Sequence, residues 1–316
     1  MKPIKRLLIA FILAVVICQL SFIVFTHEIK KYEAHSTDRL DELLLNHTDY
    51  DLIFLGSSRV HAAVYPRIID SICKLGSYNA GLDGANLYEF EMMLNAYLEN
   101  HPAPRYVALS FDLHSFIGGS SIFNYPIYFP YISNKVIRRY LQDDGYLTTA
   151  KRIVPFLRMG DYDDDDKGAF LKLRAGKSEI MPGDFQYKGY LSNTDETVRG
   201  EGPIDKHVLE INSAKKEALA RIIEVCRQKN IELLFLYLPE YKSEYEQSVT
   251  NSNDVFAVVD SFAAADHIPF IRDDRLKIND NPLLFRNVNH LNKEGAREYS
   301  IILAKELQAY LGGAGH

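Results

Sequence analysis

The sequence predicts an α/β fold: a three-layer sandwich in which helices cover both faces of a parallel sheet, preceded by one transmembrane helix. Three observations predict it. Short apolar runs bounded by Asp, Gly or Pro recur along the chain, "DLIFLG" at 51–56, "RYVALSF" at 105–111 and "IELLFLYLP" at 231–239, the mark of strands buried on both faces. Amphipathic stretches separate them, and strands alternating with helices imply a parallel sheet. A charge-free run, Leu7 to Phe25, follows the basic "MKPIKR".

The first element is that apolar run. Its 19 residues span about 28 Å as a helix at ~1.5 Å per residue, close to the hydrocarbon thickness of a bilayer. A cleavable signal peptide has a shorter apolar region and ends in a small-x-small site, which "SFIVFTHEIKKY" does not offer. "VVIC" likewise lacks the small residues expected before a lipidated Cys18. The run therefore reads as an uncleaved anchor. Lys2, Lys5 and Arg6 precede it, which holds the N-terminus inside and puts the rest outside the cytoplasm. The expected organisation is a cytoplasmic tail at 1–6, the anchor at 7–25, a stalk at 26–49 and an α/β domain over 50–316.

"HEIKKYEAHSTDRLDELLLN" (27–46) carries Leu at helical spacing and reads as a stalk helix. "DLIFLG" is the first strand, "RVHAAVYPRIIDSIC" contains a helix, and "SYNAG" holds the second strand. "NLYEFEMMLNAYLEN" places apolar residues three and four apart, an amphipathic helix. "RYVALSF" is the third strand. The long helix "KHVLEINSAKKEALARIIEVCRQKN" feeds the fourth, stopped by Pro239. "NDVFAVVDSFAAADH" is a helix, "IPFI" a short fifth strand, and "KEGAREYSIILAKELQAYL" a closing helix.

Residues from about 113 to 206 break the alternation and read as an insertion over the carboxyl edge of the sheet, a lid. Its acidic stretch "GDYDDDDKGAF" alternates Asp161, Asp163 and Asp165. A calcium loop of the EF-hand type needs glycine where Asp166 stands and glutamate where Lys172 stands, so the stretch reads as a solvated acidic loop. Beyond the anchor the cysteines are Cys73 and Cys226. Their apolar flanks favour buried thiols, though an oxidising compartment would permit a pair.

Composition excludes several functions. A net charge of -6 and a pI near 5.9 argue against nucleic acid, whose binders need a basic surface. Ten histidines are scattered with no His-Glu-x-x-His or paired-cysteine spacing, so no metal site is expected. No Walker or dinucleotide glycine loop is present, and no cofactor is expected.

In an α/β sheet, sites form at the carboxyl ends of strands, where "GSSRV" places Gly56, Ser57 and Ser58. A serine hydroxyl needs a base to take its proton as it attacks. At a strand–helix junction the backbone N–H of Ser58 also faces a developing oxyanion. The bland reading is that Ser58 caps the helix. His290 precedes the closing helix on a loop whose edge of the sheet it shares with Ser58, so the two can meet.

Together these blocks resemble the SGNH/GDSL hydrolases. Gly56-Ser57-Ser58 stands where that family has Gly-Asp-Ser, "YNAGLDGAN" resembles its second block, "RYVALSFDLHSF" occupies the third, and "FRNVNHLNKEGA" resembles its last, Asp-x-x-His before a helix. The wording "LGSSRV" with "NHLNKEGA" is most similar to the membrane-anchored bacterial branch that adds or removes acyl groups on cell-envelope polymers.

The resemblance implies the flavodoxin-like SGNH fold, Ser58 as nucleophile, His290 as base, and the N–H groups of Ser58 and Gly84 as oxyanion donors. Arg59 is assigned to substrate binding. Two departures stand out. The aspartate three residues before the histidine is Asn287, which orients the imidazole but brings no charge. The third-block asparagine is absent; gapless pairing puts His114 in its slot as a candidate oxyanion donor, with Asp112 two residues before. The implied activity is hydrolysis or transfer of a small acyl group on a cell-envelope glycan, with an acylated glycan or small acyl ester and the membrane as partners. The alternative is a non-catalytic protein that uses the same cleft to bind a glycan or an envelope partner.

Overall fold

The structure is a computed structural model that describes residues 2–29, 37–46, 48–118, 121–175, 186–191, 206–243 and 247–313. In chain order, α1 (Lys2–Ile29) and α2 (Thr37–Leu44) precede β1 (Leu52–Leu55), α3 (Ser58–Ala63), α4 (Pro66–Cys73), β2 (Ser77–Asn79), α5 (Leu87–Asn100) and β3 (Tyr106–Phe111). Next come α6 (Lys135–Asp143), α7 (Thr149–Ile153), α8 (Asp164–Arg174) and the β4–β5 pair (Gln186–Tyr187, Tyr190–Leu191). The chain then forms α9 (Ser213–Gln228), β6 (Glu232–Tyr237), α10 (Ser252–Asp266), β7 (Phe270–Arg272), the β8–β9 pair (Phe285–Asn287, His290–Leu291) and α11 (Lys293–Gly313). Residues 1–41 and 124–180 form one compact unit, and 42–123 with 181–316 form a second.

The second unit is the α/β unit. Its five strands are parallel in the order β2-β1-β3-β6-β7, the flavodoxin-like order of doubly wound sheets. All five expected strands are present. Leu52 to Leu55 and Tyr106 to Phe111 are fully buried, as continuous apolar runs require when both faces are covered. Because side chains alternate along a strand, Leu52, Phe54, Tyr106, Ala108, Leu234 and Leu236 share one core with α3, α4 and Tyr299, Leu303 and Leu307 of α11. Each buried Leu or Phe among them contributes roughly 1.5–3 kcal/mol by leaving water. Truncation of Phe54 to Ala would cost about 3–5 kcal/mol.

Three local departures from the sequence reading have physical causes. "RVHAAVYPRIIDSIC" forms two helices because the residue before a proline is pushed to extended backbone: Val64 and Tyr65 are both extended, and Pro66 opens α4 at a position suited to proline. His290 begins a short antiparallel strand instead of lying on a loop, paired with Asn287. The acidic stretch is not wholly a solvated loop, since Asp161 accepts from Lys151 Nζ and Tyr125 Oη, at 2.7 and 3.1 Å, and Asp164 opens α8. The stalk expected over 26–49 contains the end of α1 and all of α2, with residues 30–36 outside those described.

Cys73 and Cys226 are free. The Cys73 thiol donates to the Ala304 carbonyl at 3.2 Å, and burial pushes the Cys226 thiol up to about 12. Of the described helices, α1 is the one long and apolar enough to cross a membrane.

Candidate active site

The turn after β1 answers why a strand should end in glycine and two serines. A Cβ on Gly56 would meet Val60 Cγ2 at 2.3 Å, so only glycine lets α3 fold back this tightly. Ser57 is the N-cap: its Oγ accepts from Arg59 N at 3.3 Å and donates to Asp112 Oδ2. The capping role considered for Ser58 therefore belongs to its neighbour. Ser58 is the first helical residue, and its Oγ lies 2.8 Å from His290 Nε2.

The tautomer of His290 follows from its other nitrogen. Asn287 Oδ1 lies 3.0 Å from His290 Nδ1 and accepts the backbone N–H groups of His290 (2.9 Å) and Asn289 (3.2 Å). A backbone N–H can only donate, so the group facing all three is the amide oxygen. His290 Nδ1 then carries the proton, and Nε2 is left with its lone pair toward the Ser58 hydroxyl. Burial, followed by the charge of Arg59, holds the His290 imidazole below its ordinary range; Asp112 and Asp83 act in the opposite direction. The neutral imidazole is favoured.

Two backbone amides at this edge have no acceptor among the described residues. The N–H of Ser58, in the first turn of α3, has no intrahelical acceptor. Gly84 sits at φ +69° after β2, where a Cβ would strike the Phe123 ring at 2.3 Å. Neither N–H has a partner among the described residues. Both residues line one cavity of about 390 Å³. Asn79 fixes this loop to α3: its Nδ2 donates to the carbonyls of Val60 and Val64 at 2.8 and 2.7 Å, and its Oδ1 accepts from Gly81 N at 3.0 Å.

His114 also lines the cavity, in the 3₁₀ turn 113–116 after β3. Desolvation lowers its pKa, with Asp112 opposing. Arg59 lines the cavity as well, yet is only 4% exposed. Its Nη2 donates to the Leu238 and Pro239 carbonyls, and its guanidinium lies 4.8 Å over the Tyr237 ring. Arg59 thus ties α3 to the end of β6 as well as facing the cavity. Asp280, a carboxylate that would complete a charged triad, makes no hydrogen bond to the ring, which bonds only Ser58 and Asn287 among the described residues.

The sequence reading missed two contributors, Asn79 and Lys215, and named a third, Asp112, without its partner Ser57. Asn79 is fully buried, and its neighbouring Ala-Gly turn was its only signal. Lys215, 1% exposed on α9, sends Nζ to Asn86 Oδ1 at 2.6 Å on the cavity wall. Asp112 holds Ser57, while its Oδ1 is buried without a hydrogen-bond partner among the described residues. Among the described residues no cluster suited to a metal ion occurs.

The 2-1-3-4-5 strand order and the meeting of Ser58 with His290 at its carboxyl edge decide the architecture. The fold is a doubly wound, flavodoxin-like α/β sheet. No family model and no curated protein matches the chain. Among solved structures, it is similar to a GDSL-like lipase from Bacteroides thetaiotaomicron at 12% identity and TM-score 0.42, covering 90% of this chain and 99% of that one. It is also similar to a protein described as a candidate platelet activating factor from Streptococcus pneumonia, at 15% identity and TM-score 0.43, covering 90% and 94%. A candidate acylhydrolase from Bacteroides fragilis is similar at 11% identity and TM-score 0.41, covering 88% and 96%.

Proposed function

We propose that the chain is a membrane-anchored SGNH-type serine hydrolase or acyltransferase that acts outside the cytoplasm on a small acyl ester of a cell-envelope glycan. The observation that carries the reading is the 2.8 Å contact between Ser58 Oγ and His290 Nε2, on a ring whose tautomer Asn287 sets. As Ser58 Oγ attacks the ester carbonyl, its proton passes to Nε2. The negative oxygen forms within reach of the Ser58 and Gly84 N–H groups, where preorganised donors act most strongly. Collapse expels the alcohol, which takes the proton from His290 and leaves an acyl-Ser58. Water or a glycan hydroxyl then repeats the sequence, His290 again serving as base. The 390 Å³ cavity lies near the small end of ligand pockets, which supports a short acyl group. The anchor reading rests on α1 and the basic residues before it.

The test is fluorophosphonate labelling of the full chain in detergent. Wild type should label, while Ser58→Ala and His290→Ala should not. Label that persists in Ser58→Ala reassigns the nucleophile. An unlabelled wild type withdraws the catalytic reading in favour of a binding protein.

A further inference from the structure

The first unit carries an apolar surface that the described residues leave uncovered. Ile153 ends α7, and Phe156 and Leu157 lie in the 3₁₀ turn 155–161; they are 68%, 37% and 46% exposed. Such a cluster on adjacent turns is unusual for a surface that meets only water.

Its height along α1 is fixed by one hydrogen bond. The N–H of Phe156 donates to Gln19 Oε1 at 3.1 Å. Gln19 lies inside the charge-free run, six residues before its end at Phe25, or about 9 Å at the helical rise. The same turn is held to α1 by Arg158, which is buried, stacks 5.3 Å over Phe22 and donates Nε to the Lys151 carbonyl at 2.9 Å. Phe25 meets the Tyr162 ring edge-on at 4.8 Å. With Leu7–Phe25 filling the hydrocarbon, the 155–161 turn reaches below the end of that run.

The polar groups at this level are matched to lipid. An amide inside an apolar span is costly unless partnered, and the first N–H groups of a helical turn lack acceptors. Gln19 and Phe156 satisfy each other. In water neither would need the other. Lys151 is neutralised by Asp161 at 2.7 Å. Arg152, exposed beside Ile153, has the long stem that lets a guanidinium reach headgroups from an apolar surface.

We propose that α7 and the 155–161 turn make a second, monotopic membrane contact, with Ile153, Phe156 and Leu157 inserted into the leaflet that holds the C-terminal half of α1. The proposal rests on the reading of α1 as a membrane anchor. Interfacial segments sit ~5–10 Å into the headgroup–acyl boundary, which matches the depth set by Gln19.

The chain has no tryptophan, so single substitutions report without background. Full-length Leu157→Trp, Ile153→Trp, Phe11→Trp and Val208→Trp would be reconstituted in phosphatidylcholine–phosphatidylglycerol vesicles with brominated acyl chains, and fluorescence quenching compared. All four sites are well exposed in the protein, so the fold is retained. Quenching of Leu157→Trp and Ile153→Trp is expected within about a factor of two of Phe11→Trp, as the interfacial depth requires, with Val208→Trp at the unquenched level. Strong quenching of Phe11→Trp with Leu157→Trp and Ile153→Trp at the Val208→Trp level overturns the proposal alone, and leaves a second copy or a protein partner to cover the patch. An unquenched Phe11→Trp overturns the anchor reading and the proposal with it.

Discussion

Asn287→Asp isolates the charge that the site lacks. The replacement keeps an oxygen where Asn287 Oδ1 accepts three N–H groups. The amide nitrogen it replaces has no hydrogen-bond partner among the described residues, so no bond is broken. What changes is the group 3.0 Å from His290 Nδ1: a neutral acceptor becomes a carboxylate. Hydrogen bonds to charged groups contribute about 1.5–3 kcal/mol against roughly 0.5–1.5 for neutral pairs. The gain falls on the imidazolium that forms as Ser58 attacks, so the barrier should drop by about 1–2 kcal/mol, roughly 5- to 30-fold in rate. In the serine-protease example of aspartate to asparagine, the loss was about 10⁴-fold because the tautomer was wrong. Here the oxygen already faces the ring, so the smaller figure applies. The pH profile supplies the sign. In the proposed mechanism neutral His290 is the active form; its pKa is lowered by burial, so wild type should keep activity below the ordinary imidazole range. The added carboxylate raises that pKa and moves the acid limb of kcat/KM to higher pH. The assay is hydrolysis of one small acyl ester across pH by wild type, Asn287→Asp and His290→Ala. A plateau rate that stays flat or falls in Asn287→Asp, with His290→Ala inactive, refutes the reasoning.

Other outcomes follow from the same geometry. Ser58→Ala should lose at least ~10³-fold in esterase rate, whereas Ser57→Ala, which removes a cap and the bond to Asp112, should cost about 1 kcal/mol of stability and less activity; equal rate losses in the two refute the division of roles. Gly84→Ala puts a Cβ into the Phe123 ring at a left-handed position and should lower kcat by about 10²–10³-fold, the scale of one lost oxyanion donor; unchanged kcat removes Gly84 from that role. Burial raises Asp273 to about 7, so its contribution to stability is full below the unfolded carboxyl range and is lost as pH rises through about 7. The decline is at most about 4 kcal/mol, and urea midpoints for Asp273→Asn should be flatter between acid and alkaline pH than for wild type. In a bacterial host, an alkaline phosphatase fusion after Lys31 should be active and membrane-bound; an inactive fusion reverses the topology.

The strands were legible because burial on both faces removes every polar residue from them, as in "LIFL" and "YVALSF". That Ser58 and His290 would meet was legible through motif order. Which serine caps α3 was not, since both side chains suit a helix N-terminus and only the position of Asp112, 55 residues away, assigns the duty. The orientation of Asn287 was open for a related reason. It is decided by the two backbone N–H groups of the β8–β9 turn, a hairpin too short to leave a periodic signal. Lys215 carried no signal of its own in the sequence, yet it is buried on α9 with Nζ donating to Asn86 Oδ1.

The adjacency of Ser57 and Ser58 has a consequence for the covalent half of the proposed cycle. Fastening and chemistry are assigned to different hydroxyls one residue apart, so loading an acyl group onto Ser58 detaches nothing that holds α3 in place. The Ser58 N–H therefore keeps its position while the neighbouring oxygen changes from hydroxyl to ester and back. On that reading the free and acylated proteins would share one framework, and the second half-reaction would meet the same amides as the first. A chain in which one serine performed both duties would loosen its own helix at each turnover.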